Sequence, residues 1–377
     1  MDFSLSQEQQ LLKDSVERFV REKYEFEARR KLVATSEGYS QENWSMMAEL
    51  GWLAVGLPED HGGFGGGPVE TMIIMEAIGQ GLVLEPYLPS VVLGGNLVAL
   101  GGSEEQKNAL LPALGEGNLK LAFAYAERQA RFDLFDVETT AKKDGGSYVI
   151  NGEKGVVFHA ATADKIIVSA RTAGDTRDEN GITLFIVDTD AKGLTRRDYG
   201  TNDGGQASEV AFENVAVDAD AVIGDVDGGY PTIEQVAELA IGALCAEAVG
   251  CMDYLKDATN EYLKTREQFG RPLGSFQVLQ HRMVDMFINC EEARSLTYVA
   301  AARLGDDDDA ARAKAVAAAK VQIGKSGKFV GQQTIQLHGG MGMTDELSVG
   351  HYFKRLTMID LTFGDQAHHL KRYMAMD

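Results

Sequence analysis

Residues Tyr262 to Met283 read YLKTREQFGRPLGSFQVLQHRM. One helical pattern ends here and another begins. Arg266-Glu267-Gln268-Phe269-Gly270 closes the first. Gly270, Pro272 and Gly274 make the turn, because glycine supplies backbone angles that other residues avoid and proline halts a helix. Phe276 and Gln277 open the second helix. An arginine at a helix end beside a glycine-rich turn suits a phosphate, onto which the guanidinium forks two donors. A surface arginine in an ordinary helix–turn–helix gives the same local signal, so the rest of the chain must decide.

The chain has 377 residues, enough for two or three domains, and its 44% hydrophobic and 25% charged content is that of a soluble globular protein. No run looks long enough to span a membrane, and the acidic, amphipathic start lacks the basic and apolar regions of a secretory signal, which predicts a cytoplasmic protein. The net charge of −21 argues against nucleic acid and anionic lipid as partners. Cys245, Cys251 and Cys290 form no C-x-x-C pair and read as reduced, mostly buried thiols. Asp306 to Asp309 read as a solvated loop. His338, His351, His368 and His369 have no spacing that supplies a tetrahedral metal set.

Apolar periodicity predicts helix over 3–34, with Phe3, Leu5, Leu11, Leu12, Val16, Phe19 and Val20 on one side, and again over 42–51, 69–81, 89–100 and 104–115. The glycines at 62–67 are loop chemistry rather than a phosphate loop, since no Lys-Ser/Thr follows them. From Leu119 the chain turns into short runs rich in Val, Ile, Phe and Thr. Gly145-Gly146, Asn151-Gly152 and Asn180-Gly181 separate them, which predicts antiparallel strands and hairpins. Helix returns over 231–265, 276–304, 310–339 and 347–373, lengths that suit a four-helix bundle. The reading is an α+β chain with a helical domain over 1–118, a β-domain over 119–224 and a helical bundle over 225–377.

The string R-E-Q-F-G-R-P-L-G-S-F-Q-x-x-Q-H resembles the FAD-contacting segment of the acyl-CoA dehydrogenase family. ELGWLAVGLPEDHGGFGGGPVETMIIMEAIG, YVINGEK and QLHGGMGMTDE resemble further segments of it. The resemblance covers essentially the whole chain and is nearest to the small-subunit type of pimeloyl-CoA dehydrogenase and similar heteromeric enzymes. It implies a helical N-domain, a β-barrel-like middle and a C-terminal four-helix bundle. It implies FAD, held by Arg266, Phe269, Gln277, Gln336, Gly339 and Gly340 across a subunit boundary, and hence a homotetramer or an α2β2 assembly with a second subunit. It also implies an acyl-CoA substrate and an electron-transfer flavoprotein as electron acceptor.

The implied reaction removes the α-proton of an acyl-CoA with a carboxylate while the β-hydride passes to the flavin. Both usual base positions are empty: Phe363 stands at one and Ala240 at the other. Glu247 lies two turns beyond Ala240, and its neighbours at three and four residues are Ala243, Leu244, Gly250 and Cys251, none a cation. A glutamate in an apolar stripe is expensive to bury without a role. It reads as the base, or as a structural residue satisfied by a partner elsewhere. Asp365 is shorter and misplaced, and Glu238 is on a different helical face. In the β-domain the flavin-side positions are Tyr125, Glu127 and His159. Val156-Val157-Phe158 replace the family's hydroxyl-bearing run, and His159 reads either as a substitute donor or as a structural histidine. The departures leave two functions open: a dehydrogenase, or a catalytically silent subunit that completes a neighbour's FAD site.

Overall fold

The structure is a computed structural model that describes residues 4–376. Along the chain run α1 (Gln7–Lys23), α2 (Phe26–Val33), α3 (Gln41–Glu49) and α4 (Pro68–Gly81), then a wide π-helical turn (Tyr87–Gly95), α5 (Asn96–Gly101) and α6 (Glu104–Gly115). The strands follow: β1 (Leu121–Ala124), β2 (Thr140–Asp144), β3 (Ser147–Phe158), β4 (Lys165–Arg171), β5 (Ile182–Asp188), β6 (Leu194–Gly200), β7 (Gln206–Asp218) and β8 (Val222–Ile223). Next come α7 (Tyr230–Thr265), a hairpin of β9 (Glu267–Gln268) and β10 (Arg271–Pro272), α8 (Gln277–Arg303), α9 (Asp309–His338), α10 (Val349–Leu361) and α11 (Gln366–Ala375).

The α+β architecture follows the sequence reading, with several local differences. The first helical pattern is two helices, and its Phe3 lies outside the described residues. The stretch 89–100 opens as a π turn because Ser90 is pinned to β1: its Oγ donates to Leu121 O and accepts from Leu121 N. Asn151-Gly152 is not a hairpin. It is a bulge inside β3, where the pairing with β7 shifts register, and a Cβ at Gly152 would lie 2.6 Å from Thr139 Oγ1. The exposed, charged edge strand β6 has no apolar alternation to betray it. The final helical stretch breaks after Leu361 into α10 and α11.

The contacts divide the chain into two compact units, one holding the segment through Lys31, Pro68–Val83 and the residues from Ile241 on, the other holding Leu32–Gly67 and Leu84–Ala240. The second unit carries the sheet, in the order β6-β7-β3-β2-β4-β5-β8, with β1 on β4. It is mixed rather than purely antiparallel, since β1 and β2 both run parallel to β4. Ile150, Ile166, Val168 and Phe185 are fully buried on one core face, each worth about 1.5–3 kcal/mol of burial.

In the first unit α9 packs against α8, α10 and α11. Helices α4 and α7 cross at backbone contact: a Cβ on Gly79 would sit 2.0 Å from Glu247 O, and one on Gly250 1.9 Å from Glu76 O. Arg294 of α8 ties the crossing by pairing with Glu76 and Asp253. By length and composition α7 could cross a membrane, contrary to the sequence reading, but 89% of its most apolar stretch is buried inside the protein. The acidic run before α9 has local work: Asp308 caps that helix by accepting from Ala311 N, and Asp306 pairs with Arg303.

Candidate active site

In the first unit the ends of α7 and α9 are brought together. Thr259 Oγ1 donates to Thr334 Oγ1 at 3.3 Å, and one turn on Tyr262 stacks on His338 with ring centroids 4.4 Å apart. His338 is buried, which pulls its pKa below the usual value, and its Nδ1 lies 2.9 Å from Thr334 O. One further turn places Arg266 just past the end of α7, where α9 gives way to Gly339-Gly340. Arg266, Gln277, Gln336, Gly339 and Gly340 are all exposed. The Arg266 guanidinium has no ion pair or hydrogen bond among the described residues.

The loop between β9 and β10 is Phe269-Gly270, with φ of +57° and +80°, the signature of a tight I′ hairpin. Phenylalanine avoids that conformation, and this one is 90% exposed. A strained, outward aromatic that meets its own chain only edge-on at Phe276 among the described aromatic rings marks a surface built for contact. A Cβ at Gly270, Gly339 or Gly340 would meet nothing within 4 Å. An arginine without a partner among the described residues, an exposed ring and bare glycine backbone on one end of the bundle suit an anionic diphosphate and a flat ring system, as FAD presents.

Glu247 is buried at 3% exposure, but it is not alone. Arg355 of α10 grips it with two bonds, Nε to Oε1 at 2.5 Å and Nη2 to Oε2 at 2.7 Å. The helical neighbours hold no cation, and the partner comes from elsewhere in the chain. The cation comes from 108 residues downstream, beyond any local pattern. A signal for it existed: Arg355 falls three residues after Tyr352 and four before Ile359, both buried, so it interrupts an apolar stripe. Of the two family base positions, Ala240 is fully buried and Phe363 is buried with φ of +57°. Asp365 caps α11, its Oδ1 accepting from His368 N, and Glu238 is buried.

The second unit places Tyr125 and Glu127 just past β1, laced to the end of β3. The Glu127 carboxylate is bonded within the chain. Its Oε1 accepts from Lys154 Nζ (2.7 Å) and Thr139 N, and its Oε2 from Gln129 Nε2 and Glu138 N. Burial pushes the Glu127 carboxyl up, but the Lys154 charge and these bonds outweigh it and hold its pKa below the usual value. Lys154 also reaches Ser169 Oγ and Tyr125 O. The Glu127 side chain therefore ties the stretch after β1 to β3 and to the residues leading into β2. Tyr125 is half-buried. His159 is half-buried in left-handed backbone (φ +54°), its Nδ1 3.4 Å from Thr162 Oγ1 and its ring edge-on to Tyr39. Val156 is also left-handed and 40% exposed, at the bulge where β3 slips against β7.

Family models match the chain along its length: the acyl-CoA dehydrogenase N-terminal domain over residues 6–118, the middle domain over 122–215 and the C-terminal domain over 227–375. A probable acyl-CoA dehydrogenase, YngJ of Bacillus subtilis, is 31% identical over 97% of this chain and 96% of its own length. The chain belongs to the acyl-CoA dehydrogenase family. Among solved structures, the ChsE4-ChsE5 complex from Mycobacterium tuberculosis is 26% identical with a TM-score of 0.90, over 100% of this chain and 98% of that one. Butyryl-CoA dehydrogenase from Megasphaera elsdenii is 25% identical with a TM-score of 0.91, over 100% and 99%. This acyl-CoA dehydrogenase is thus an FAD-dependent oxidoreductase acting on CH–CH bonds.

Proposed function

We propose that this acyl-CoA dehydrogenase works as part of an oligomer, in which its exposed Arg266, Phe269 and Gln336–Gly340 end grips the FAD of a neighbouring subunit. The observation that carries this is Arg266, whose guanidinium has no partner among the described residues, beside a strained, 90% exposed Phe269. The similarity to a two-component complex supports an α2β2 assembly with a second acyl-CoA dehydrogenase subunit over a homotetramer. An electron-transfer flavoprotein is the acceptor that suits this chemistry.

FAD, when bound, supplies the hydride acceptor. This chain's own residues handle the proton. Glu247 is the carboxylate we assign to α-proton abstraction, buried and fixed in orientation by Arg355. Each of its oxygens accepts one N–H from Arg355, so each keeps a second lone pair for the incoming proton. A base two turns along the helix from Ala240 calls for a re-shaped acyl pocket, and we assign a bulky or terminally polar acyl chain such as a dicarboxylyl or steroid side-chain thioester. A panel of acyl-CoAs tests this, and butyryl-CoA as the best substrate would overturn it.

A second reading is favoured by the same ion pair. Protonating Glu247 forfeits its pair with Arg355, which suits a structural glutamate better than a base. The chain would then be a silent subunit that completes a neighbour's FAD site while the partner supplies the base. Glu247→Gln in the assembled enzyme separates the two.

A further inference from the structure

Lys320 of α9 is fully buried, with an unusual set of partners. Its Nζ shares its three N–H donors among four backbone carbonyls: Ile359 O at 2.6 Å, Asp360 O at 2.9 Å, Thr362 O at 3.0 Å and Gly364 O at 2.9 Å. The first two belong to the last turn of α10, whose carbonyls have no partner within their helix. The other two belong to the turn that breaks α10 from α11. An ammonium on these carbonyls satisfies the helix end and ties it to the turn.

That turn is strained. Phe363 and Gly364 are consecutive left-handed residues, with φ of +57° and +111°, and Phe363 is buried. A bulky side chain in this region is an outlier that persists only where its surroundings over-determine it. Here they do. His369 of α11, itself buried, donates from Nε2 to Phe363 O at 2.9 Å. Burial holds that imidazole neutral, its pKa lowered to about 3. A Cβ on Gly364 would lie 2.8 Å from His369 Nε2, so the approach admits only glycine. The carbonyls of Thr362, Phe363 and Gly364 are each fixed from a neighbouring helix, two by Lys320 and one by His369.

We propose that Lys320 is a positioning residue for the dehydrogenation: with His369 as its counterpart, it locks the Thr362–Gly364 turn in left-handed form so that Phe363 stands as a rigid apolar wall of the acyl site. This rests on the reading that the chain carries out the reaction and that segment 361–365 borders its acyl group. Without the ammonium, four backbone carbonyls, two of them buried, lose this donor and the turn is free to relax. Displacing a pocket wall by about 1 Å is enough to cost on the order of 100-fold in rate.

The test uses the FAD-loaded assembled enzyme carrying Lys320→Met, Lys320→Arg or His369→Gln. It measures turnover per bound flavin, KM for a reactive acyl-CoA, and hydrogen exchange of the peptide over 359–369. For Lys320→Met we expect faster exchange confined to that peptide, unchanged flavin content, KM within about threefold, and turnover per flavin lower by at least about tenfold. Lys320→Arg should restore part of the turnover. If Lys320→Met does not fold, His369→Gln loosens the same turn from α11 and should lower turnover in the same sense. Faster exchange with turnover within about twofold of wild type would overturn the proposal, as would unchanged exchange. A wild-type enzyme whose flavin no acyl-CoA reduces would instead remove the functional reading beneath it.

Discussion

Arg355 closes on Glu247 with a two-point grip, Nε to Oε1 and Nη2 to Oε2, joining α10 to the middle of α7 inside one unit. The pair explains how a carboxylate at 3% exposure is tolerated in the apolar middle of α7. Its consequences divide the two functional readings. With Glu247 as proton acceptor, Glu247→Gln keeps the shape and loses the base, so acyl-CoA-dependent flavin reduction should fall by about 10²–10⁴-fold while the circular dichroism spectrum is kept. Arg355→Lys should fall between, since it keeps the charge and loses the fork. Activity of Glu247→Gln within about twofold of wild type would assign the chemistry to a partner subunit.

The Arg266 guanidinium has no ion pair or hydrogen bond among the described residues that its removal would break. Arg266→Ala should therefore leave the melting temperature of the apoprotein unchanged and lower FAD occupancy. A lost charge-assisted phosphate contact corresponds to a rise in the dissociation constant of about 10–100-fold. Flavin content per chain after gel filtration reads this directly. Full occupancy in the variant would move the diphosphate elsewhere.

Lys154 is fully buried and Glu127 is its counter-charge. Glu127→Gln leaves the ammonium uncompensated and should cost about 3–5 kcal/mol of stability in the β-sheet unit. The same pair sets an acid limit. The folded pKa of Glu127 lies below its usual 4.5, so the unfolded chain binds the proton first. Its contribution is complete above about pH 4.5 and is lost as pH falls from there through the folded value. Acid unfolding monitored by near-ultraviolet circular dichroism should lose this component in Glu127→Gln.

Gly250 lets α7 meet α4 at backbone distance. Gly250→Ala would put a methyl 1.9 Å from Glu76 O, and backbone cannot swing aside as a side chain can. A loss of about 3 kcal/mol or more is expected, read as a lower denaturant midpoint. An unchanged midpoint would mean that the helices do not cross at this distance.

The legible part of the chain was what local chemistry encodes. Arg266, the Gly-rich turn and Gln336 to Gly340 stand in motifs, and the long helices carry their own periodicity. What escaped depends on partners far away in the chain. Arg355 reaches Glu247 across 108 residues, and Lys320 reaches the α10–α11 break across about 40. Both are cations set in apolar helical stripes, a pattern that announces a buried partner without naming it. Asn151-Gly152 has the composition of a hairpin, but pairing with β7 on one side and β2 on the other keeps β3 continuous. Strand β6 is charged and exposed, so only its neighbour β7 reveals it. The pairing of Glu127 with Lys154 fell to the same limit, since no spacing rule links residues 127 and 154.

The most direct test is a visible spectrum of the assembled enzyme, followed by anaerobic titration with acyl-CoAs that include dicarboxylic and bulky chains. The account expects a bound flavin band that bleaches on addition of a bulky or dicarboxylic acyl-CoA, and no bleaching in Glu247→Gln. A flavin band that every acyl-CoA leaves unchanged, or one that bleaches equally in Glu247→Gln, would contradict this.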